Sequence, residues 1–148
     1  MEKKSKKYEI KVEGKDSGFE SIQIVESSAA EKYARQFFSD DIILYESCFI
    51  MLLNRSNKVI GWAKVSQGGI SSTVVDVSIV CKYVVDTLAK GVILVHNHPS
   101  GIPTPGSEDM QVTERLRNAL RYFDCCLIDH IIITEDNAYS FADGAVVR

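Results

Sequence analysis

The stretch VILVHNHPSGIPTPGSED, residues 92–109, decides the fold because it passes from a buried strand through a loop into a helix. Residues 92–95 are an apolar run of strand length and lead directly into the triplet at 96–98. Residues 99–105 are rich in proline and glycine, so they must form a loop. From 107 to 123 the apolar residues recur with helical spacing. The stretch therefore predicts a strand, a loop and a helix in that order.

Two histidines that lie two positions apart at a strand end project to the same face, because strand side chains alternate. His96 and His98 therefore point together, Asn97 points away, and Pro99 ends the strand so that both rings lie at its mouth. Asp109 falls in the first turn of the following helix, which the loop can fold back over the strand end. Two imidazoles and a carboxylate suit Zn²⁺, and three protein ligands leave a fourth position for water, as in catalytic zinc sites. A bare pair of this kind also occurs by chance, as histidines that bind no metal.

A water activated by a metal needs a nearby group that takes up and returns its proton. Glu46 is the candidate, because it immediately precedes the apolar strand predicted around residues 48–53. If that strand lies beside residues 92–95, Glu46 reaches the metal water from the edge of the sheet. In the absence of such a site, Glu46 is interpreted as an exposed carboxylate at a strand end.

The remaining sequence alternates predicted strands with predicted helices. The predicted strands are residues 8–12, 22–25, 49–53, 58–65, 127–134 and 138–141. The predicted helices are residues 27–38, 78–89 and 107–123, with Asp76 capping the second helix and Gly91 following its end. The pattern predicts an α/β (α+β) fold in which a mixed β-sheet is flanked by helices.

Composition limits the possible functions. The chain has 148 residues, enough for one domain, and 45% hydrophobic with 25% charged residues are globular proportions. A net charge of −3 argues against tight, sequence-independent DNA binding. A lysine run at residues 3–7 leaves open a weak electrostatic contact with nucleic acid or with another protein. Neither a membrane span nor a signal peptide is expected. No C-x-x-C pair occurs, so neither a zinc ribbon nor a thioredoxin motif is expected. Because no signal peptide is expected, we interpret the cysteines as reduced thiols of a cytoplasmic protein. The four cysteines are Cys48, Cys81, Cys125 and Cys126.

The quoted stretch resembles a known motif. HNHPSG at residues 96–101 with Asp109 downstream resembles the JAMM/MPN+ metalloprotease motif, which is H-x-H, seven residues and then S-x-x-D. The surroundings resemble its bacterial RadC-like branch, through LLNRSNKVIG (52–61), GGISSTVVD (68–76), ILVHNHPSG (93–101), LIDHIIIT (127–134) and AYSFADG (138–144). The resemblance divides the chain into an N-terminal extension, residues 1–40, and a RadC-like JAMM/MPN domain, residues 41–148, with a cytidine-deaminase-like architecture. Full-length RadC proteins also carry a helix-hairpin-helix region, for which this chain has no room.

The resemblance also assigns roles to residues. It places His96, His98 and Asp109 on the zinc-ligand positions and Glu46 on the general acid/base position. The motif serine, which helps to stabilise the oxyanion, corresponds to Gly106 in this sequence. Ser107 is a possible substitute, but a shift of one residue on a helix turns a side chain by about 100°. Loss of one oxyanion donor typically costs roughly 10²–10³ in rate, so weakened activity is expected.

Three functions remain open. The first is a zinc metallopeptidase that acts on peptide or isopeptide bonds of a peptide or protein substrate. The second is a metal-binding module with weak catalysis, and the third is a DNA-repair-associated role that only the RadC resemblance suggests. A zinc nucleobase deaminase is excluded because H-x-E…P-C-x-x-C is missing. A homodimer through an unpaired strand edge near residues 8–12 is possible.

Two further features have more than one interpretation. His130 is either a structural histidine hydrogen-bonded near Asp129 or a side chain that supports the metal ligands. Cys125 and Cys126 are interpreted as core packing.

Overall fold

The computed structural model describes residues 13, 15–16, 18–68 and 75–148. Its strands are β1 (Ser47–Leu53), β2 (Val59–Gln67), β3 (Gly91–Asn97), β4 (Cys126–Ile133), β5 (Ala138–Ser140) and β6 (Ala145–Val146). Its helices are α1 (Ser27–Ala34), α2 (Val77–Thr87) and α3 (Ser107–Arg121), with short 3₁₀ helices at Arg35–Phe37 and Asp40–Ile43. The six strands form one mixed sheet in the order β2-β1-β3-β4-β5-β6. The predicted α/β class with a mixed sheet is therefore confirmed.

The centre of the sheet is buried on both faces. Every residue of β1 and of β3 is buried, which is why their sequences read as continuous apolar runs. One face packs against α2 and α3 through Ile50, Leu94 and Leu116. The other face packs against α1 through Met51 and Ile93. Burial of each such side chain contributes about 1.5–3 kcal/mol, so this two-sided core holds β1 and β3 rigidly together.

β1 pairs antiparallel with β3, and β3 pairs parallel with β4. The parallel pair requires a crossover, which α3 supplies between the end of β3 and the start of β4. The loop after β3 therefore has to rise over the strand end before α3 descends along the sheet. The end of β3 and the start of α3 therefore meet at one edge of the sheet, where the histidines lie.

The N-terminal part differs from the prediction. The strand predicted at residues 8–12 lies outside the described residues. The strand predicted at 22–25 is reduced to one isolated bridge between Gln23 and Lys58. The helix predicted at 27–38 is α-helical only to Ala34 and then tightens into a 3₁₀ turn. Because α1 shares a core with Met51 and Ile93, it packs directly on the sheet. The domain division at residue 40 stays a prediction.

The end of α2 is also different. Asp76 caps the helix as predicted, by accepting the Ser78 backbone N–H at 2.9 Å. The left-handed residue that ends it is Leu88, with φ 54°, and not Gly91. Gly91 instead begins β3, where a Cβ would lie 2.3 Å from Cδ1 of Ile128. Its missing side chain therefore serves the packing of β3 and not the end of the helix.

Two apolar predictions fail at the end of α3. The helix ends at Arg121, so Phe123 leaves the apolar stripe and is 43% exposed. Cys125 is buried as predicted, but Cys126 is exposed and does not pack in the core. Within the described ranges, every helix falls short of the length and apolarity that a bilayer span requires.

Candidate metal centre

The pairing of β1 with β3 brings Glu46 to the histidines. Cys48 pairs with His96, so the residue two positions before Cys48 lies at the same sheet edge as the end of β3. This confirms the expectation that the two strands are neighbours. It also explains why Glu46 is only partly exposed, with 14% of its side-chain surface accessible.

Four side chains converge at this edge. Nε2 of His96 lies 3.0 Å from Nε2 of His98 and 3.1 Å from Oδ1 of Asp109. Nε2 of His98 lies 3.4 Å from Oδ2 of Asp109, and Oε1 of Glu46 lies 3.8 Å from Nε2 of His96. One ligand atom from each of the four residues falls within 4.8 Å of the others, so together they can hold a metal ion. The structure thus brings together the four residues that the sequence singled out.

The loop and the first turn of α3 fix Asp109. The backbone N–H of Gly106 donates to Oδ2 of Asp109 at 2.7 Å, which ties the carboxylate to the start of its own helix. The His98 N–H donates to the Ile133 carbonyl at 2.9 Å and holds the loop against β4. Gly101 adopts φ 83°, which lets the chain turn back towards α3.

The donor set fits a metal ion. Nδ1 of His98 lies 2.9 Å from the Ile102 carbonyl oxygen, which can only accept. The proton of the neutral ring therefore sits on Nδ1, and Nε2 directs a lone pair towards the carboxylates. Ligand atoms bound to one tetrahedral Zn²⁺ at about 2.0–2.2 Å lie roughly 3.3 Å apart, close to the spacing of these nitrogens and oxygens. Lone pairs and carboxylates that face one another at this distance repel one another, and a cation between them removes that repulsion.

Burial and proximity shift the pKa values of the cluster. Burial raises the pKa of Glu46, helped by the charges of Asp109 and Glu108, while His98 opposes it. Burial also opposes ionisation of Asp109, but the nearby His96 and His98 rings outweigh it and lower the pKa of Asp109 far below the usual range. Burial lowers the pKa of His96. A neutral His96 is the form that binds a metal.

Burial also works against protonation of His98, but the Asp109 carboxylate and the Ile102 carbonyl raise its pKa overall. Its ring is more exposed than that of His96, so the two histidines differ in environment although they share a face.

Ser107 is exposed at the first residue of α3 and is not among the residues that line the adjacent cavity. Gly106 sits at the cap of α3, where an added Cβ would meet only Oδ2 of Asp109, at 3.7 Å. The catalytic assignment of Ser107 stays a prediction.

His130 makes its ring contacts with the cluster and not with Asp129. Its Nε2 lies 2.7 Å from Nδ1 of His96, and its ring is fully buried. Asp129 accepts instead from the His130 backbone N–H and from Ser140. Of the two interpretations, the contact expected of a supporting side chain is the one present. The parallel pairing of β3 with β4 puts it there, and a lone histidine in an apolar strand was the available signal.

Asn97 is a residue whose role the sequence did not reveal. Its side chain points away from the histidines, as predicted, but it is fully buried. Its amide oxygen accepts the Ser47 N–H at 2.7 Å, and its amide nitrogen donates to the carbonyls of Ile42 and Tyr45 at 2.6 and 2.7 Å. Asn97 therefore binds the segment that leads into β1.

A cavity of about 250 Å³ adjoins the cluster. Glu46, His96 and Asp109 form one wall of it, and Leu94 and Arg115 contribute to its lining. The cluster thus faces a space in which part of a substrate can lie against both apolar and charged side chains.

Comparison with known proteins agrees with this geometry. The model of the family described as the RadC-like JAB domain matches residues 24–146. A UPF0758 protein of Flavobacterium johnsoniae is 44% identical over 102 residues, covering 69% of this chain and 44% of that protein. A UPF0758 protein of Porphyromonas gingivalis is 40% identical over 125 residues, covering 84% of this chain and 54% of that protein. The chain spans about half the length of these curated relatives.

Proposed function

The chain belongs to the RadC-like JAB domain family, and from its clustered side chains we propose that it is a zinc-dependent hydrolase of peptide or isopeptide bonds. In this proposal His96, His98 and Asp109 hold the metal, and Glu46 is the general acid/base. The single observation that supports it best is the convergence of two histidine nitrogens and two carboxylates beside a cavity.

The residues divide the chemistry between them. A bound zinc ion supplies Lewis acidity, which polarises a carbonyl oxygen and acidifies water. Glu46 takes a proton from the attacking water and passes it to the leaving amine. Its raised pKa suits a group that must accept and then donate a proton near neutrality. Glu46 lies 3.8 Å from Nε2 of His96 and lines the cavity, which supports its proposed place beside the ligands.

We propose that the substrate is a peptide or a protein and that the hydrolase acts in the cytoplasm. The net charge of −3 supports a protein partner more than a nucleic acid. The four cysteines are all free, which suits a reducing compartment. Homodimerisation through a strand edge is a further proposal that oligomeric state in solution would test.

The test combines metal content with cleavage. Protein prepared without a metal-binding tag is analysed for zinc and then incubated with libraries of peptides and isopeptide-linked peptides. Glu46→Gln should keep zinc and lose cleavage by about 10²–10⁴-fold. Glu114→Gln, which removes an exposed carboxylate from α3, is the matched control and should cleave as the wild type does. Equal cleavage by wild type and Glu46→Gln would remove the proposed role of Glu46.

A second candidate is a metal-binding module with weak catalysis. The specific observation in its favour is Gly106 at the position that corresponds to the motif serine, with Ser107 exposed and absent from the lining of the cavity. It predicts stoichiometric zinc with at most weak cleavage of any library member. High wild-type activity would exclude it.

A further inference from the structure

A chain of buried hydrogen bonds leads from His96 away from the cluster. Nδ1 of His96 contacts Nε2 of His130 at 2.7 Å, and Nδ1 of His130 contacts the Thr113 hydroxyl at 2.6 Å. The hydroxyl also contacts the backbone carbonyl of Asp109 at 2.7 Å. His96, His130 and Thr113 are each at most 4% exposed, so water is kept from these contacts.

The backbone carbonyl of Asp109, which is the last acceptor, fixes the direction of these hydrogen bonds. A carbonyl oxygen only accepts, so the Thr113 hydroxyl uses its one proton on Asp109. The hydroxyl oxygen then accepts from Nδ1–H of His130, which leaves a lone pair on Nε2 of His130. That lone pair accepts from Nδ1–H of His96, and Nε2 of His96 consequently carries no proton. It faces Asp109 and His98 as a free ligand atom.

We propose that His130 and Thr113 are positioning residues that set the tautomer of His96 and so keep its Nε2 free to bind the metal. This inference rests on the proposed metal site and extends it to two residues that are not themselves among the proposed ligands. Metal-bound histidines usually donate their second N–H to a carboxylate, a carbonyl or water. Here a second histidine takes that place, and its own tautomer has to be set by a further group, which is Thr113.

The surroundings hold the His130 ring in this orientation. The Phe141 ring stacks on it with centroids 4.6 Å apart and planes 7° apart. Thr113 lies one helical turn after Asp109, so α3 carries both the Asp109 carboxylate and the last hydroxyl of the hydrogen-bonded series. The same helix therefore sets the position of one ligand and the protonation pattern of another.

If these hydrogen bonds ran in the opposite direction, the effect on Nε2 of His96 would be the opposite. If Thr113 donated to Nδ1 of His130, Nε2–H of His130 would donate to His96 and put a proton on its Nε2. That proton competes with the metal. Thr113→Val favours the reversed arrangement, because a buried N–H without an acceptor costs about 1–3 kcal/mol and His130 would avoid leaving Nδ1–H unpaired.

The first experiment compares metal affinities. Zn²⁺ dissociation constants are measured by competition with a chromophoric chelator for wild type, Thr113→Val and Thr113→Ser. Thr113→Val should bind about tenfold more weakly, whereas Thr113→Ser keeps the hydroxyl and should match the wild type. Ser140→Ala removes an equally buried hydroxyl that donates to Asp129, so it controls for a general loss of stability and should bind normally.

The second experiment replaces the middle of the chain. His130→Leu removes the acceptor and should weaken Zn²⁺ binding about 10- to 100-fold and alter the visible absorption of bound Co²⁺. His130→Gln offers an amide oxygen to His96 and an amide N–H to Thr113, so it should restore most of the affinity and the Co²⁺ spectrum. Long-range ¹⁵N NMR of the Zn²⁺-loaded wild type should report His96 and His130 protonated on Nδ1.

The outcomes separate this inference from the proposed function. A wild type that binds neither Zn²⁺ nor Co²⁺ would overturn the metal site itself. A wild type that binds while Thr113→Val and His130→Leu bind equally well would overturn the positioning role alone. An ¹⁵N spectrum that places the His130 proton on Nε2 in the loaded protein would do the same.

Discussion

Asn97 binds both chain neighbours of Glu46. Its side chain accepts the N–H of Ser47 and donates to the carbonyl of Tyr45, at 2.7 Å each. Because β3 ends at Asn97, the strand that carries His96 also holds the backbone on either side of the proposed acid/base. This buried amide therefore helps to fix the distance between Glu46 and the histidines.

Asn97→Asp should separate catalysis from metal binding. Aspartate keeps the acceptor for Ser47 but places a carboxylate oxygen against the Tyr45 carbonyl, so the Glu46 segment moves. We expect kcat/KM to fall about 10- to 100-fold with a zinc content near that of the wild type, because misplacement of a catalytic group by about 1 Å costs this much. Peptide cleavage and zinc analysis of the same preparation measure both effects.

The control for this change is Asn54→Ala, at the opposite end of β1, where Asn54 accepts from Ser56 and Lys58. It should lower the melting temperature without changing kcat/KM. In addition, Glu46→Gln with Asn97→Asp should be no slower than Glu46→Gln alone. A double variant that is slower by the full product of the two effects would show that Asn97 acts elsewhere.

The convergence of His96, His98 and Asp109 was predictable from the sequence for a simple reason. Strand alternation puts His96 and His98 on one face, and the loop length allows Asp109 to return to that face. Glu46 required the additional assumption that β1 and β3 are neighbours, which the sequence alone could not establish and the structure confirms.

Asn97 and Thr113 were not predictable in the same way. Their roles depend on contacts across 50 and 17 residues, with Ser47 and with His130, and no local pattern encodes those partners. The predicted end of α2 at residue 89 was wrong, because Leu88 adopts the left-handed conformation that a glycine normally supplies and the helix ends at Thr87. Contacts between residues that are far apart in the sequence, and single residues in strained backbone conformations, cannot be predicted from local sequence patterns.

Zinc should stabilise the protein through Asp109. A ligand that binds only the folded state adds about 2.7 kcal/mol at 100 times its Kd, which for a chain of this length raises the melting temperature by roughly 5–10 °C. Asp109→Asn should abolish that shift, since it removes the carboxylate nearest to both histidines. Thermal melts with and without chelator measure it. An unchanged zinc-dependent shift in Asp109→Asn would place the metal elsewhere.

The cysteines should differ in reactivity in the folded protein. Burial raises the pKa of Cys125 to about 11 and raises that of Cys48 further, so their thiolates are scarce at neutral pH. Cys126 is exposed. We expect iodoacetamide to label Cys126 first, and Cys48 and Cys125 only after unfolding. Since thiolate increases as pH rises towards the pKa, any native labelling of Cys125 should accelerate between pH 8 and about 10. Peptide mapping by mass spectrometry identifies the labelled sites.

Gly106→Ser should test whether the missing hydroxyl limits the reaction. The added Cβ has ordinary contact with Asp109 at 3.7 Å, and serine is a better helix cap than glycine by a few tenths of a kcal/mol, so the variant should fold with equal or greater stability. If one oxyanion donor is absent from the wild type, restoring it should raise kcat by up to about 10²-fold with little change in KM. Ser107→Ala is the matched variant: because Ser107 is exposed and does not line the cavity, its removal should leave kcat within about twofold of wild type. Loss of activity in Ser107→Ala together with no gain in Gly106→Ser would instead show that Ser107 supplies the hydroxyl that stabilises the oxyanion during turnover.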